Sequence, residues 1–579
     1  MPKNLKPQDW QDEIMAGLEY RELYGKEKFW GETERCYYND PDTICMIGEN
    51  LIFEQGDALL AGISVSDPYI IIEPEMPSSV DSAPAVETLD NQFIRKLQLK
   101  ETVEYAALNA YLYGKAIIKL GYDSEFGFDP YFDVSLGGSP SGMTFTQFNK
   151  RGERIEFNAG EPGLPWAKSV LPHDFVVAWG SKTLDDAPWC AHRIIRTTAD
   201  IKADPKYRNT SRLEPNMSMK SFLESYIEGR IRRDRVSTQR QKGAIEASKK
   251  SIYNELWEIH DRRTGMLKVI CFNYDQFLRN RRDVLQIDGK LPFIADSFTP
   301  HTRYFWTTPL AYYLLQHQVE MHDVSKQEVK NRRSSNLKYL VMEDALDSEE
   351  EERALSEETG LFVKVSRSAG ADLSKVVSKF PTANNINLIM EKGDIRSAAR
   401  SVIGYSRNQL GEFDDSSRRT ATESNNVQRG ALKREGRRYK LVENLFLETI
   451  KGVNGIVFSF WKRQRQIMVG PQEWQMFAGI DLKGVYSYNI DLTSNPPTTK
   501  TQRKFQALQL FSQFLMIPGV NVGELWQYVM RLSDDPGFAR FFIQQQQQPV
   551  NSLQLPAGAS RQGGVGSAQT TEGAKSANL

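Results

Sequence analysis

Leu89, Phe93 and Leu97, then Val103, Ala106, Ala107 and Ala110, recur at helical spacing, and this stripe predicts one helix from about Val86 to Tyr113, stopped by Gly114. The unbroken apolar run of "KAIIKLGYD" that follows reads as a buried strand, so the pair forms a packed α+β unit. Upstream, residues 1 to about 60 read as helical, with a mixture of polar and aromatic positions. "SDPYIIIEPE" reads as a strand opened by Pro68 and closed by Pro74. Downstream, "DFVVAW" (174–179) and "WCAHRIIRTT" (189–198) read as short strands, residues 199–250 as polar and helical, and "YNELWEIHDRRTGMLKVICF" as two strands joined at Thr264-Gly265. Residues 124–166, rich in Gly, Ser, Phe and Asn, suggest a hairpin insertion around "GGSPSG".

The pattern changes after Pro309, which suits a first helical turn because its missing N–H costs nothing there. A helix from Leu310 to about Arg333 would be about 36 Å long. Its second half, "HDVSKQEVKNRR", is almost wholly polar, so it is expected to meet other copies or solvent rather than a core. A small module follows: "LKYLVME" as a strand, a helix capped by Ser348 and Glu351 and stopped by Gly360, and "LFVKVS" as a second strand. A second polar helix spans about Ile386 to Val402 and ends at Gly404. Next comes the charged stretch "GEFDDSSRRTATE", whose Thr420-Ala-Thr-Glu423 is a capping box opening a helix to about Gly452. "YSYNIDLTS" (486–494) reads as a strand, and helices are expected over about Lys500–Leu515 and Val522–Phe542. Gln544–Gln548 and the Gly/Ser/Ala-rich remainder predict a disordered tail.

Composition narrows this picture little. The 579 residues carry 73 basic and 74 acidic side chains, so any electrostatic function must lie in local patches. No stretch of about 18 apolar residues suggests a membrane span, and "MPKNLKPQDWQDEI" lacks a signal peptide's apolar core. The four cysteines, Cys36, Cys45, Cys190 and Cys271, have no CxxC spacing and are expected to be reduced. No phosphate loop, GxGxxG, GxSxG or HExxH occurs. In "HQVEMH", His317 and Glu320 share a helix face but His322 does not. No catalytic residue, metal or cofactor is therefore expected. The basic run 230–250 and the acidic run Glu349, Glu350, Glu351, Glu352 read as solvated helix faces.

Four segments in order carry a resemblance: "NLIFEQGDALLAGISVSDPYIIIEPE", "LNAYLYGKAIIKLGYD", "TLDDAPWCAHRIIRTTADIKADPKY" and "RRTATESNNVQRGALKREGRRY". Together, around an inserted module, they resemble the portal, or head-to-tail connector, proteins of tailed bacteriophages over roughly residues 45–545. The mixed-charge loop before Thr420 departs from the short-tailed pattern. The resemblance implies an α+β portal-like fold: an α/β wing (1–308), stem helices (309–336 and 381–403) and a small α/β clip (337–380). It further implies a tunnel loop (404–420), a wing return helix and strands (421–499), a helical crown (500–543) and the tail (544–579). It also implies a ring, usually of twelve subunits, at one capsid vertex of the virion, assembled in the host cytoplasm. Double-stranded DNA would be packaged and ejected through it. Implied partners are the packaging terminase, head-tail adaptor and tail proteins, and the major capsid and scaffold proteins.

On that footing Asp414, Asp415, Arg418 and Arg419 would face DNA. Glu349–Glu352 would meet a docking partner, and Lys326, Glu328 and Lys330 would lie between subunits. Mixed charge suits a surface that DNA slides past, since a uniformly basic loop would hold phosphates. Two other classes remain: a DNA-associated scaffold without a ring, using 230–250 and 418–440, and a carboxylate-dependent nuclease.

Overall fold

A computed structural model describes residues 5–40, 49–65, 68–122, 144–148, 154–158, 164–204, 206–218, 251–334, 339–341, 377–379, 387–404, 421–461, 464–470 and 473–492. The chain divides into two units, Met1–Ser494 and Asn495–Leu579, and every described residue lies in the first. Its mixture of helices and strands is an α+β fold. The expected crown helices and tail lie outside the described residues.

In chain order the elements are α1 (Pro7–Gly25), α2 (Trp30–Tyr37), α3 (Leu51–Ile63), β1 (Pro68–Pro74), α4 (Ala83–Lys96), α5 (Leu99–Tyr113) and β2 (Ala116–Tyr122). Then come β3 (Thr144–Phe148), β4 (Arg154–Asn158), β5 (Pro165–Ser169), β6 (Phe175–Val177), β7 (Trp189–Thr197), α6 (Thr198–Ala203) and β8 (Met217–Ser218). β9 (Ser251–Asp261), β10 (Met266–Cys271), β11 (Arg279–Arg282) and β12 (Phe293–Asp296) precede α7 (Leu310–Ser334), β13 (Tyr339–Val341), β14 (Val377–Lys379), α8 (Asn387–Ile403) and α9 (Ala421–Phe460). β15 (Arg465–Gly470), β16 (Glu473–Phe477), α10 (Gly479–Leu482) and β17 (Tyr486–Leu492) complete the described elements.

Two sheets face each other. One has the order β11-β10-β9-β7-β6, with β8 beside β9; the other is β12-β2-β5. Strand alternation sorts their side chains. Trp189 and Ala191 of β7 and Trp257 and Ile259 of β9 point outward and pack beneath Trp10 and Ile14 of α1. Their neighbours His192, Glu258 and His260 point inward, where Lys119 of β2 pairs with Glu258 and lies 3.3 Å from His192 Nδ1. β1 pairs antiparallel with the distant β17, Pro68 opposite Leu492. On its other edge, α4 supplies backbone-like partners. Asn91 accepts from Ile70 N–H and donates to Ile70 O, both at 2.9 Å, and Glu87 accepts from Ile72 N–H at 3.2 Å. These side chains satisfy an edge that would otherwise recruit another strand. The largest core joins α3, α4, α5, β2, α7 and the second half of α9.

Several expectations need correction. The single helix over 86–113 is two, broken at Gln98, which sits in the left-handed region at φ 50°. The stripe shows why: Leu97 to Val103 is six residues, which breaks helical phase. α9 does not stop at Gly452 but runs to Phe460, because that glycine is a contact point: a Cβ there would collide with Leu120 of β2. In the 124–166 insertion the paired strands are β3 and β4, so the connection is 149–153 and "GGSPSG" precedes the first strand. Of the helical stretch expected over 199–250, only α6 is helical among the described residues, and 219–250 lie outside them. Cys36 is disulfide-bonded, against the expectation of four reduced thiols, while Cys190 and Cys271 are free and buried.

Candidate functional site at the paired polar helices

α7 does bury a face, contrary to its polar sequence. Ala311, Leu314, Leu315, Gln318, Met321, His322 and Ser325 form one helical stripe, and all are buried. The polar members need partners to be there. Gln318 accepts from Leu51 N–H at 2.7 Å and donates to the Glu49 carbonyl at 2.9 Å. Asn50 accepts from Phe53 N–H at 3.0 Å. One side chain from α7 and one from the chain itself thus satisfy the exposed amides at the start of α3. Gln318→Leu is expected to cost about 1–3 kcal/mol, because it strands a buried amide. A thermal midpoint unchanged from wild type would show that water replaces the lost partner.

α8 lies alongside α7 and is fastened by a cationic row. Lys392, Arg396 and Arg400, spaced four apart, share one helix face. Lys392 pairs with Glu328 of α7. Arg396 grips Glu49 through both Nε, at 2.8 Å, and Nη2; Arg400 reaches Glu54 at 2.8 Å. Beside this row Leu388, Ile395, Ala399 and Ile403 are buried, while Ile389, Met390 and Val402 are exposed. The two half-exposed pairs, Lys392–Glu328 and Arg396–Glu49, contribute little each, about 0–1 kcal/mol, whereas Arg400 is buried. Their effect is to fix the rotation of α8 against α7 and α3.

The preceding flank of residues 405–420 is tied as well. Gly404, at φ 85°, ends α8 in the left-handed conformation that glycine adopts freely, and its N–H donates to Arg400 O at 2.6 Å. Arg438 of α9 donates to the Ile403 carbonyl, placing a cation on the negative end of α8. The end of α8 is therefore anchored on α9.

Of the residues singled out for stem, clip and loop, the structure describes those on α7. Lys326 and Lys330 are exposed on α7, whereas Glu328 is engaged within the chain by Lys392. Glu349–Glu352, Asp414, Asp415, Arg418, Arg419 and Thr420 lie outside the described residues. At the root of the expected clip, β13 and β14 pair antiparallel, Tyr339 opposite Lys379, so that segment leaves and returns at one point. His317 Nδ1 is 3.9 Å from Glu320, and His322 is buried. Among the described residues no group of metal-binding side chains is gathered, and no helix is long and apolar enough to cross a membrane. Sequence reasoning missed Gln318, Arg438 and the Lys392–Arg396–Arg400 row. The row was readable from the four-residue spacing in "EKGDIRSAAR".

Chemistry-bearing side chains do meet in one place, between the two facing sheets. Asp283 bonds His260 Nδ1 at 2.7 Å; His260 Nε2 is 3.7 Å from Glu258; Glu258 holds Lys119; Lys119 reaches His192. Burial pushes Asp283 up, but adjacent His260 and hydrogen bonds outweigh it and hold the carboxyl below its ordinary value. Burial, then the nearby Lys119, keeps His192 neutral, and burial pushes the Cys190 thiol up. These side chains sit wholly inside the fold, so the arrangement ties one sheet to the other. No protein-family model matches the chain, and no curated protein matches it.

Proposed function

We propose that this chain is the subunit of a viral portal: a ring at one capsid vertex through which double-stranded DNA is packaged and later ejected. The observation that carries the reading is the α7–α8 pair. Two long helices run together on either side of residues 335–386, their inserted segment closed at its root by β13–β14 and their register held by Glu328–Lys392. A 40-residue helix, about 60 Å long, follows directly after residues 405–420. This sequence of parts supports a stem carrying a clip, then a tunnel loop rooted on a long helix.

In this reading the protein conducts DNA and performs no chemistry. Asp414, Asp415, Arg418 and Arg419 present mixed charge to the duplex, and Arg438 with Gly404 anchors the near flank of that loop. Glu349–Glu352 offer a negative docking surface to the packaging terminase and then to the adaptors. The test is particle mass: the purified chain is expected to give a species near twelve times 66.1 kDa, ring-shaped in negative stain. A monomer under all assembly conditions overturns the reading.

A further inference from the structure

A groove of about 370 Å³ opens between α3, α5 and α9. Leu60, Val103, Leu108 and Phe446 floor it. Among the described residues, Asp57, Glu101 and Glu104 rim it against one cation, Lys100, and Glu104 also accepts from Ser64 Oγ at 3.1 Å. At its lip Tyr105 is 64% exposed. Exposed aromatic and apolar surface with a charged rim marks an interaction site. The rim's excess of two carboxylates calls for a partner that is apolar at its centre and basic beside it.

The solvent face of α7 has that chemistry. Val319, exposed, and Lys326 are seven residues apart and share a helix face, with Lys330 one turn on and Asp323 between. α7 applies its other face to α3 and α5, so its solvent face points away from them. Within one chain it cannot reach a groove that those same helices form with α9. Contact between the two surfaces requires a second copy. A contact between different patches on successive copies is head-to-tail, the kind that closes into a ring.

We propose that Val319 and Lys326 of one copy seat in the acidic α3–α5–α9 groove of the next; this rests on the ring reading above. Glu328 takes no part, being held by its own Lys392. Lys326→Glu, and separately Glu101→Lys/Glu104→Lys, are expected to lower the ring fraction at least tenfold in native mass measurement at fixed concentration. Circular dichroism should be unchanged, since exposed charges contribute little to folding. Combining the three substitutions restores the complementary signs and is expected to recover the ring. Wild-type rings that persist in both reversed variants overturn this contact and leave the groove to a different protein. Loss without recovery in the combination also overturns it, because the two surfaces then do not meet each other. A wild-type chain that never forms rings overturns both this contact and the portal reading.

Discussion

A Glu258→Leu variant is expected to lose about 3–5 kcal/mol of folding stability, because it removes the buried carboxylate that pairs with the Lys119 ammonium. Both side chains are at most 4% exposed, and no bulk water replaces the carboxylate. His192 Nδ1, at 3.3 Å, can accept one hydrogen bond from Lys119 but carries no negative charge. The double variant Lys119→Met/Glu258→Leu removes both charges while keeping similar volume, and should regain most of the loss. Trp189 and Trp257 flank the pair on the other face of the same sheet and report its melting by fluorescence in a urea titration. If the double variant is as unstable as the single one, the pair's worth lies in packing rather than charge.

Acid should weaken the same region, and His173 isolates the effect. Burial, then Arg21 and Arg193, holds its imidazole down to about 3. Trp30 and Tyr113 pack edge-on against the ring at 4.9 and 4.7 Å. A depressed histidine binds its proton more readily unfolded than folded. Its contribution is therefore complete above the ordinary value near 6.5 and is lost as pH falls toward 3. At pH 4.5 the loss from His173 alone is roughly 2.5–3 kcal/mol. His192, lowered for similar reasons, acts with the same sign. Asp90 and Asp174, whose values burial raises, act with the opposite sign, so the total slope is a poor measure. The difference between wild type and His173→Phe removes those terms. It should be flat above pH 6.5 and grow by about 1.4 kcal/mol per pH unit below it. A difference independent of pH would mean that His173 binds its proton equally well folded and unfolded.

The long helices were legible because strong local punctuation brackets them. Pro309 and Gly404 mark ends that the structure places within one or two residues, at Leu310–Ser334 and Asn387–Ile403. Which face each helix buries was not legible. Gln318, His322 and Ser325 look like solvent positions, and Gln318 is inside only because Leu51 and Glu49, far off in sequence, present the amide and carbonyl it satisfies. Lys119 was equally opaque. One lysine in "KAIIKLGYD" gives no hint that its carboxylate stands 139 positions away. The β15–β16 hairpin was missed although Gly470-Pro471 marks its turn, since Met468 to Gly470 breaks the register and blurs the alternation. As for the candidate site, the four-residue spacing of Lys392, Arg396 and Arg400 was available, but their partners Glu328 on α7, Glu49 just before α3 and Glu54 on α3 were not.

The pairing of β1 with β17 has a consequence for how the chain is made. A ribosome that has finished Pro74 must still add everything up to Tyr486 before the partner strand exists, which at 5–20 residues per second takes roughly 20–80 s. Throughout that interval Ile70, Ile71 and Ile72 are synthesised but unpaired on one side. α4 is encoded next, so Asn91 and Glu87 are in place within seconds and occupy the opposite side of the strand at once. The newborn strand thus waits with one open edge instead of two. On crowded polysomes, where many identical nascent strands emerge side by side, a single edge permits pairs between chains but blocks their growth into sheets.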